Sequence, residues 1–463
     1  MTIDPETLEA LRSAAGDARL DSSTEALTAA SHDTWPLSTK LAKLHEHPWP
    51  AELVIRLSTF DELPDLLRAA SRHQIPVTVR ACGSSVTGQP LPTRGGVVLD
   101  VSTVPPTFAL DERNLTVTAS ASMPGGELED ALANAGYTLG HSPQSLYRSS
   151  VGGWVATLAS GQFSSMYGGI EDLVTGYTVV LATGETVTVK ASPRAAMGPD
   201  LRRVFLGSEG TLGVITSVTL KVFPTTVTTR FAAYRLATVE DGIEILREQA
   251  ALGLRPLLLR LYDATEAAHA APGETQPVLF VGTRGPETVA DAELRVLDGL
   301  ITGRAGVPLG AAPVERWMGR RFDFSTVENL LDEPGGYAET IEVAHTWSGI
   351  GDLYHALTTA LAPLADEVLG HFSHVYPQGT SLYVILLGRA PDDTEAVRRL
   401  RAIWETAMQI CLEQGAELSH HHGGGMARSA YARRSLGSAH VVLQRLKSAL
   451  DPAGILNPGK LGL

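Results

Sequence analysis

Three consecutive histidines, His420, His421 and His422, stand directly before three glycines, Gly423 to Gly425. Imidazoles titrate near neutrality, so side chains of this type can orient a substrate oxygen or accept its proton. Tyr383 stands in the run SHVYPQGTSLY. A tyrosine in a strand such as TSLYVILL is an ordinary half-buried residue. His374 and Tyr376 of the same run are candidates for a supporting layer. Read alone, the triplet is equally a solvated or weakly metal-binding tract. Zinc sites draw their ligands at i, i+4 or from separated elements, and three adjacent histidines do not easily converge on one ion, so no metal is expected and a zinc hydrolase is set aside.

Such groups need a scaffold, and the chain supplies small-residue loops for one. Val79 to Ser85 (VRACGSS) follows the strand PVT, where successive backbone N–H groups can converge on phosphates without Cβ atoms in the way. The same turn is often a plain connector, and no GxGxxG stands here. Further loops are Pro143-Gln144-Ser145 leading into SSVGGW, ATLASG from Ala156, and GSEGTLGVI from Gly207. The irregular Gly140 to Gly169 stretch has the length of a ligand-wrapping segment. Around these loops the periodicity predicts a β-α-β start from Glu52, a helix ending at Gly136, and a hairpin GYTVVLATGETVTVKA turning at Thr-Gly. After Pro224, strands LLLRLYD, PVLFVGT and TSLYVILLG alternate with helices, as in a helix-covered antiparallel sheet. A helix is predicted from Tyr431 to Leu450.

Together the four loop segments resemble the FAD-binding domain of the vanillyl-alcohol oxidase, or PCMH, type. More narrowly, SSVGGWVATLASG, YGGIEDLV, GPDLRRVFLGSEGTLGVI and SHHHGGG resemble the alkylglycerone-phosphate synthase branch. The resemblance implies an α+β fold: a two-subdomain FAD-binding domain plus an α+β cap, or substrate, domain with an antiparallel sheet. It places an N-terminal helical arm at 1–45, the FAD domain at 46–225, the cap at 226–415, and a segment returning to the flavin at 416–463. It implies FAD contacts from Val79, Arg80, Ala81, Cys82, Gly83, Ser84 and Ser85; from Pro143, Gln144, Ser145, Ser149, Ser150, Gly152 and Gly153; from Ala156, Thr157, Ala159 and Ser160; and from Glu209, Gly210, Gly213, Val214 and Ile215. Ala81 and Cys82 stand where the family has glycines, and the loop holds no histidine for attachment, which implies non-covalent FAD. Tyr383 corresponds to the family's acid/base tyrosine, and His420, His421 and His422 to its flavin-facing histidines. Glu328 stands where the synthases carry a phosphate-binding arginine. The substrate set is therefore Glu328, Arg321 and Arg428, with Arg320 nearby, and Lys460 of the tail is placed toward the flavin.

These residues imply an FAD-dependent oxidoreductase, an oxidase or dehydrogenase, passing hydride from a hydroxyl-bearing small molecule to flavin N5. The alternative is a redox-neutral transferase of the synthase kind working through an N5 adduct, which needs a phosphate clamp. A flavin-binding protein with a decayed catalytic shell is disfavoured by the retained histidines and Tyr383. Composition sets outer bounds. The 463 residues, 44% hydrophobic, suffice for a large core. Two cysteines, no leader-like start and no apolar run of spanning length imply a cytoplasmic protein without a transmembrane segment. A net charge of -14 argues against nucleic acid as partner. The partner is a small-molecule substrate, and a homodimer stays open.

Overall fold

The computed structural model describes residues 3–225 and 228–463. Strands Leu53–Arg56, Val97–Asp100 and Val77–Arg80 form a parallel ladder, and Arg19–Asp21 adds an antiparallel edge. The helix Leu63–Arg72 covers this sheet. Its apolar residues Leu63, Leu66, Leu67 and Ala70 recur at helical spacing and are buried, and Thr59 and Glu62 form a capping box just before it. A second sheet is wholly antiparallel, in the order Phe108–Asp111, Thr116–Ser120, Val214–Lys221, Val174–Val180, Thr186–Val189. The expected Thr-Gly hairpin is its last pair, with Gly184 at φ +79°.

The third sheet has seven antiparallel strands. Its order is Val307–Gly310, Thr228–Arg235, Val278–Gly285, Leu258–Tyr262, Glu367–Tyr376, Gly379–Arg389, Gly336–Thr346. One face packs on helices Ile350–Leu361 and Asp393–Gln414 through Ile341, Val343, Leu382, Val384 and Leu386, all fully buried. The other face, toward the flavin-type domain, carries the polar residues described below. The architecture is thus α+β, with two sheets of a cofactor domain and an antiparallel sheet under helices.

Two elements differ from expectation. The helix predicted over 431–450 is broken into Ala432–Leu436 and His440–Leu450, with Gly437 at φ +53° between them. A residue with positive φ cannot continue a right-handed helix. The N-terminal segment is more than helix and loop: it supplies the edge strand, and Thr34 donates its hydroxyl to the Ser85 carbonyl (2.7 Å), tying it to the glycine loop.

Candidate active site

One large cavity, of about 1340 Å³, lies between the loops of the first two sheets and the polar face of the third. It exceeds the roughly 300–1,000 Å³ of an ordinary ligand pocket. Every residue expected to touch FAD contributes to its wall except Arg80. The Arg80 guanidinium instead passes behind the loop and donates to the His32 carbonyl (2.8 Å). That leaves no room for a Cβ at Gly83, whose φ of +66° also favours glycine. The helix Val151–Thr157 points its first turn at the cavity, with Ser150 as N-cap. A Cβ at Gly152 would lie 2.6 Å from that of Ala121, so glycine sets how closely this helix approaches the sheet. The cradle suits FAD by its small side chains. Two lining residues, Gln162 and His422, also carry a buried polar atom (Oε1 and Nδ1) without a partner inside the chain.

The cap sheet presents a row of side chains to this space. Register places Glu342 opposite Tyr383, Tyr383 opposite His371, and His371 opposite Tyr262, so four adjacent strands contribute one residue each to one face. The Tyr383 and His371 rings stack at 4.4 Å. His374 joins them through a β-bulge. Its φ of +54° and the register shift between Ser373 and Val375 turn its ring toward the His420 and His421 rings, 4.8 Å from each.

Glu342, not singled out from sequence, organises the histidine loop. Its carboxylate accepts the backbone N–H of His421 (2.6 Å) and His422 (3.3 Å) and the Ser419 hydroxyl (3.1 Å), and faces His421 Nδ1 at 3.1 Å. Burial opposes its charge, but the donors of the histidine loop and the Arg428 guanidinium hold its pKa well below the usual carboxylate range. With that anion as acceptor, His421 carries its proton on Nδ1, and Nε2 is left to accept the Tyr383 hydroxyl (2.6 Å). The result is a tyrosine–histidine–glutamate relay. Burial, followed by the Glu342 charge, raises the Tyr383 phenol well above 10. Burial lowers His420 and His422 to about 3 and His374 well below its usual value, so these three rings are neutral at physiological pH.

Arg260, also missed, enters from the strand Leu258–Tyr262. Nε donates to the Tyr262 hydroxyl (2.9 Å) and Nη2 to His371 Nε2 (2.9 Å), while His371 Nδ1 donates to Glu266 (2.8 Å). The guanidinium borders the cavity beside Tyr383. An arginine amid the apolar run LLLRLY was the available signal.

The expected substrate residues scatter. Glu328 lines the cavity mouth and pairs with Arg148, whose guanidinium lies over Phe324 at 4.5 Å. Arg321 stays outside the lining, packed on Phe322 at 4.2 Å and donating to the Met318 carbonyl, and Arg320 donates to the His269 carbonyl. Arg428 is buried and binds the carbonyls of Leu418, Gly423 and Glu342, so it braces the histidine loop without reaching the cavity. Lys460 is fully buried on the Leu91 carbonyl, away from the cavity wall; Asn457 is the tail residue that reaches it. His420 sits behind His421.

Comparison with known proteins agrees with this geometry. Residues 51–190 match the FAD binding domain family, and residues 226–461 match the C-terminal domain of FAD linked oxidases. The chain is 34% identical over 439 residues to the FAD-linked oxidoreductase YgcU of Escherichia coli O157:H7, covering 89% of each. It is 26% identical over 447 residues to the alkyldihydroxyacetonephosphate synthase of Dictyostelium discoideum, covering 89% of this chain and 73% of the relative. The crystal structure of p-cresol methylhydroxylase superposes with a TM-score of 0.83 at 15% identity, over 99% of this chain and 96% of that one. The last likeness fixes the fold as the PCMH type.

Proposed function

Because the chain belongs to the FAD-linked oxidases and binds FAD, we propose that it oxidises a hydroxyl-bearing small molecule, removing a hydride from carbon and a proton from oxygen. The observation that carries this reading is the Tyr383–His421–Glu342 relay opening on the cofactor cavity. FAD supplies the acceptor for the hydride. Tyr383 Oη meets the substrate hydroxyl and takes its proton as its own passes to His421 Nε2. Glu342 balances the charge that forms on His421, and the neutral His420 and His422 add no repulsion to it. Tyr383 is half-buried on the cavity wall, so cofactor and substrate filling the cavity would keep bulk water from the reacting atoms. Arg260, the cation beside Tyr383, supports a substrate with an anionic group next to the reacting carbon, as in a hydroxy acid.

One observation favours a second reading, the redox-neutral exchange named for the synthase relative. The cavity wall also includes Ala42, Val327, Leu331, Ala338 and Ile385, apolar side chains that a long chain could contact, although Lys43, Asp332 and Thr340 stand among them. Against it, the position expected for a phosphate clamp is Glu328, already paired with Arg148.

The test is anaerobic mixing of the FAD-loaded protein with a panel of hydroxy acids and alcohols, following loss of oxidised-flavin absorbance. Tyr383→Phe should keep the flavin spectrum and slow bleaching by about 10²–10⁴-fold. Full-rate bleaching in that variant removes Tyr383 from the role. No bleaching with any alcohol, together with turnover of an acyl-dihydroxyacetone phosphate and a fatty alcohol, favours the second reading.

A further inference from the structure

Tyr383 is half-buried and opens only on the cofactor cavity, so with cofactor and substrate in place a proton taken up there needs another way out. The relay does not end at His421. Its Nδ1 lies 2.7 Å from Nδ1 of His420, and His420 Nε2 lies 2.7 Å from the Tyr376 hydroxyl. Two protonated nitrogens do not face each other at that distance. The one hydrogen on His421 Nδ1 is shared between Glu342 (3.1 Å) and His420 Nδ1 (2.7 Å), so His420 Nδ1 accepts, His420 Nε2 carries hydrogen, and Tyr376 Oη accepts it. The Tyr376 hydroxyl is then free to donate onward. Tyr376 is half-buried with exposed residues directly after it, and burial, then the charges of Glu171 and Asp172, push its phenol up. Glu171 is half-buried and Asp172 is exposed; burial pushes the Glu171 carboxyl up, and the Arg203 charge works against that. Every link from Tyr383 to Tyr376 is between 2.6 and 2.7 Å.

We propose that Tyr376 is the exit of a proton wire, Tyr383–His421–His420–Tyr376, that connects the buried site to the Glu171 edge of the molecule. A proton arriving on His421 Nε2 releases the one on Nδ1 to His420 Nδ1. His420 then releases the proton on Nε2 to Tyr376, whose own proton leaves from the half-buried hydroxyl on the side where the Glu171 charge acts on it. Each group gives one proton and takes one, so no charge remains inside. The triplet thereby acquires a division of labour: His421 touches the acid/base tyrosine, His420 carries the proton away, and His422 faces the cavity. The bulged His374, held by the Ser164 (2.7 Å) and Ser160 (3.2 Å) hydroxyls through Nδ1, walls the wire on the FAD-domain side.

The inference rests on the reading of Tyr383 as proton acceptor, but its test does not use turnover. In FAD-loaded protein with ring-¹⁵N histidine, the exchange of the His421 and His420 ring N–H with water is measured by NMR. Tyr376→Phe removes only the hydroxyl and should slow both exchanges by about 10²-fold, the scale of a lost general acid–base group. A hydroxyl that merely packs would leave a gap and speed exchange, so unchanged or faster exchange overturns the wire. Glu171→Gln, away from the hydrophobic cores, should slow exchange in the same direction and covers the case in which the phenylalanine variant folds poorly. Should Tyr383 not be the acceptor, Tyr383→Phe retains turnover while the Tyr376 effect on exchange persists, which separates the two failures.

Discussion

Glu342→Gln tests the centre of the site with almost no change of shape. The native carboxylate faces only donors: the N–H groups of His421 and His422, the Ser419 hydroxyl, His421 Nδ1 and, at 3.5 Å, Arg428 Nη2. Glutamine keeps one acceptor oxygen and turns the other into an NH₂ donor. If that NH₂ replaces Oε1, it opposes the His421 backbone N–H and ring; if it replaces Oε2, it opposes His422, Ser419 and Arg428. Either way at least two buried donors lose their acceptor, at about 1–3 kcal/mol each. Arg428 also keeps its charge without the compensating anion, and breaking a buried pair costs about 3–5 kcal/mol. We therefore expect a loss of about 3–5 kcal/mol, a large part of the 5–15 kcal/mol typical of a folded domain. It is measured as a shift of the urea midpoint, together with loss of flavin bleaching by substrate. The depressed pKa gives the sign with pH. The anion's contribution is present above the unfolded carboxylate value of 4.5 and is lost as pH falls through the lower folded value, so the variant's deficit should shrink in strong acid. Native stability at neutral pH and native bleaching in the Glu342→Gln protein would refute this account of the histidine loop.

His420 and His422 are held neutral with pKa values of about 3 against 6.5 when unfolded. The unfolded chain binds more protons below 6.5, so stability should fall from there toward 3 at about 1.4 kcal/mol per pH unit for each ring. Urea titrations at pH 7.5 and 5 should show it, and His422→Asn should flatten the slope; an acid limb unaffected by that change would count against burial as the cause. Gly152→Ala places a Cβ against Ala121 and pushes the helix Val151–Thr157 into the cradle, so FAD affinity, read by flavin fluorescence, should drop at least about tenfold with the cap domain intact.

The cradle was legible because each of its parts is a short contiguous run. Small residues after a strand, or at the start of a helix, have few other uses at such density, and Val79, Ser150 and Gly210 border the cavity as their motifs suggest. Tyr383 and His421 stood out through the family resemblance of the runs that hold them, and both line the cavity. Glu342, Arg260 and His371 were not, since each acquires meaning from a strand partner far away in sequence: Glu342 lies opposite Tyr383, and Arg260 is held by a histidine of another strand. Arg428 and Lys460 illustrate the converse. Both stand beside functional motifs, yet their side chains satisfy backbone carbonyls, because proximity along the chain does not say which way a side chain points. The edge strand Arg19–Asp21 is too short for any periodicity to announce it.

The row Glu342–Tyr383–His371–Tyr262 also explains why the chemistry is carried by a sheet. Opposed residues in neighbouring strands are held within contact distance by the backbone ladder, so four polar side chains stay aligned without a loop to order. The opposite face of the central strands, with Leu382, Val384, Ile341 and Val343, is buried in the core. A one-residue slip of Gly379–Arg389 would expose these apolar side chains to the cavity and drive Tyr383 into the helices. The energy of core burial therefore fixes the register, and the register fixes how Tyr383 lies relative to Glu342, the carboxylate behind His421. Only His374 needs a departure from that regularity, and the strained bulge that turns it is confined to one residue where the sheet meets the histidine loop.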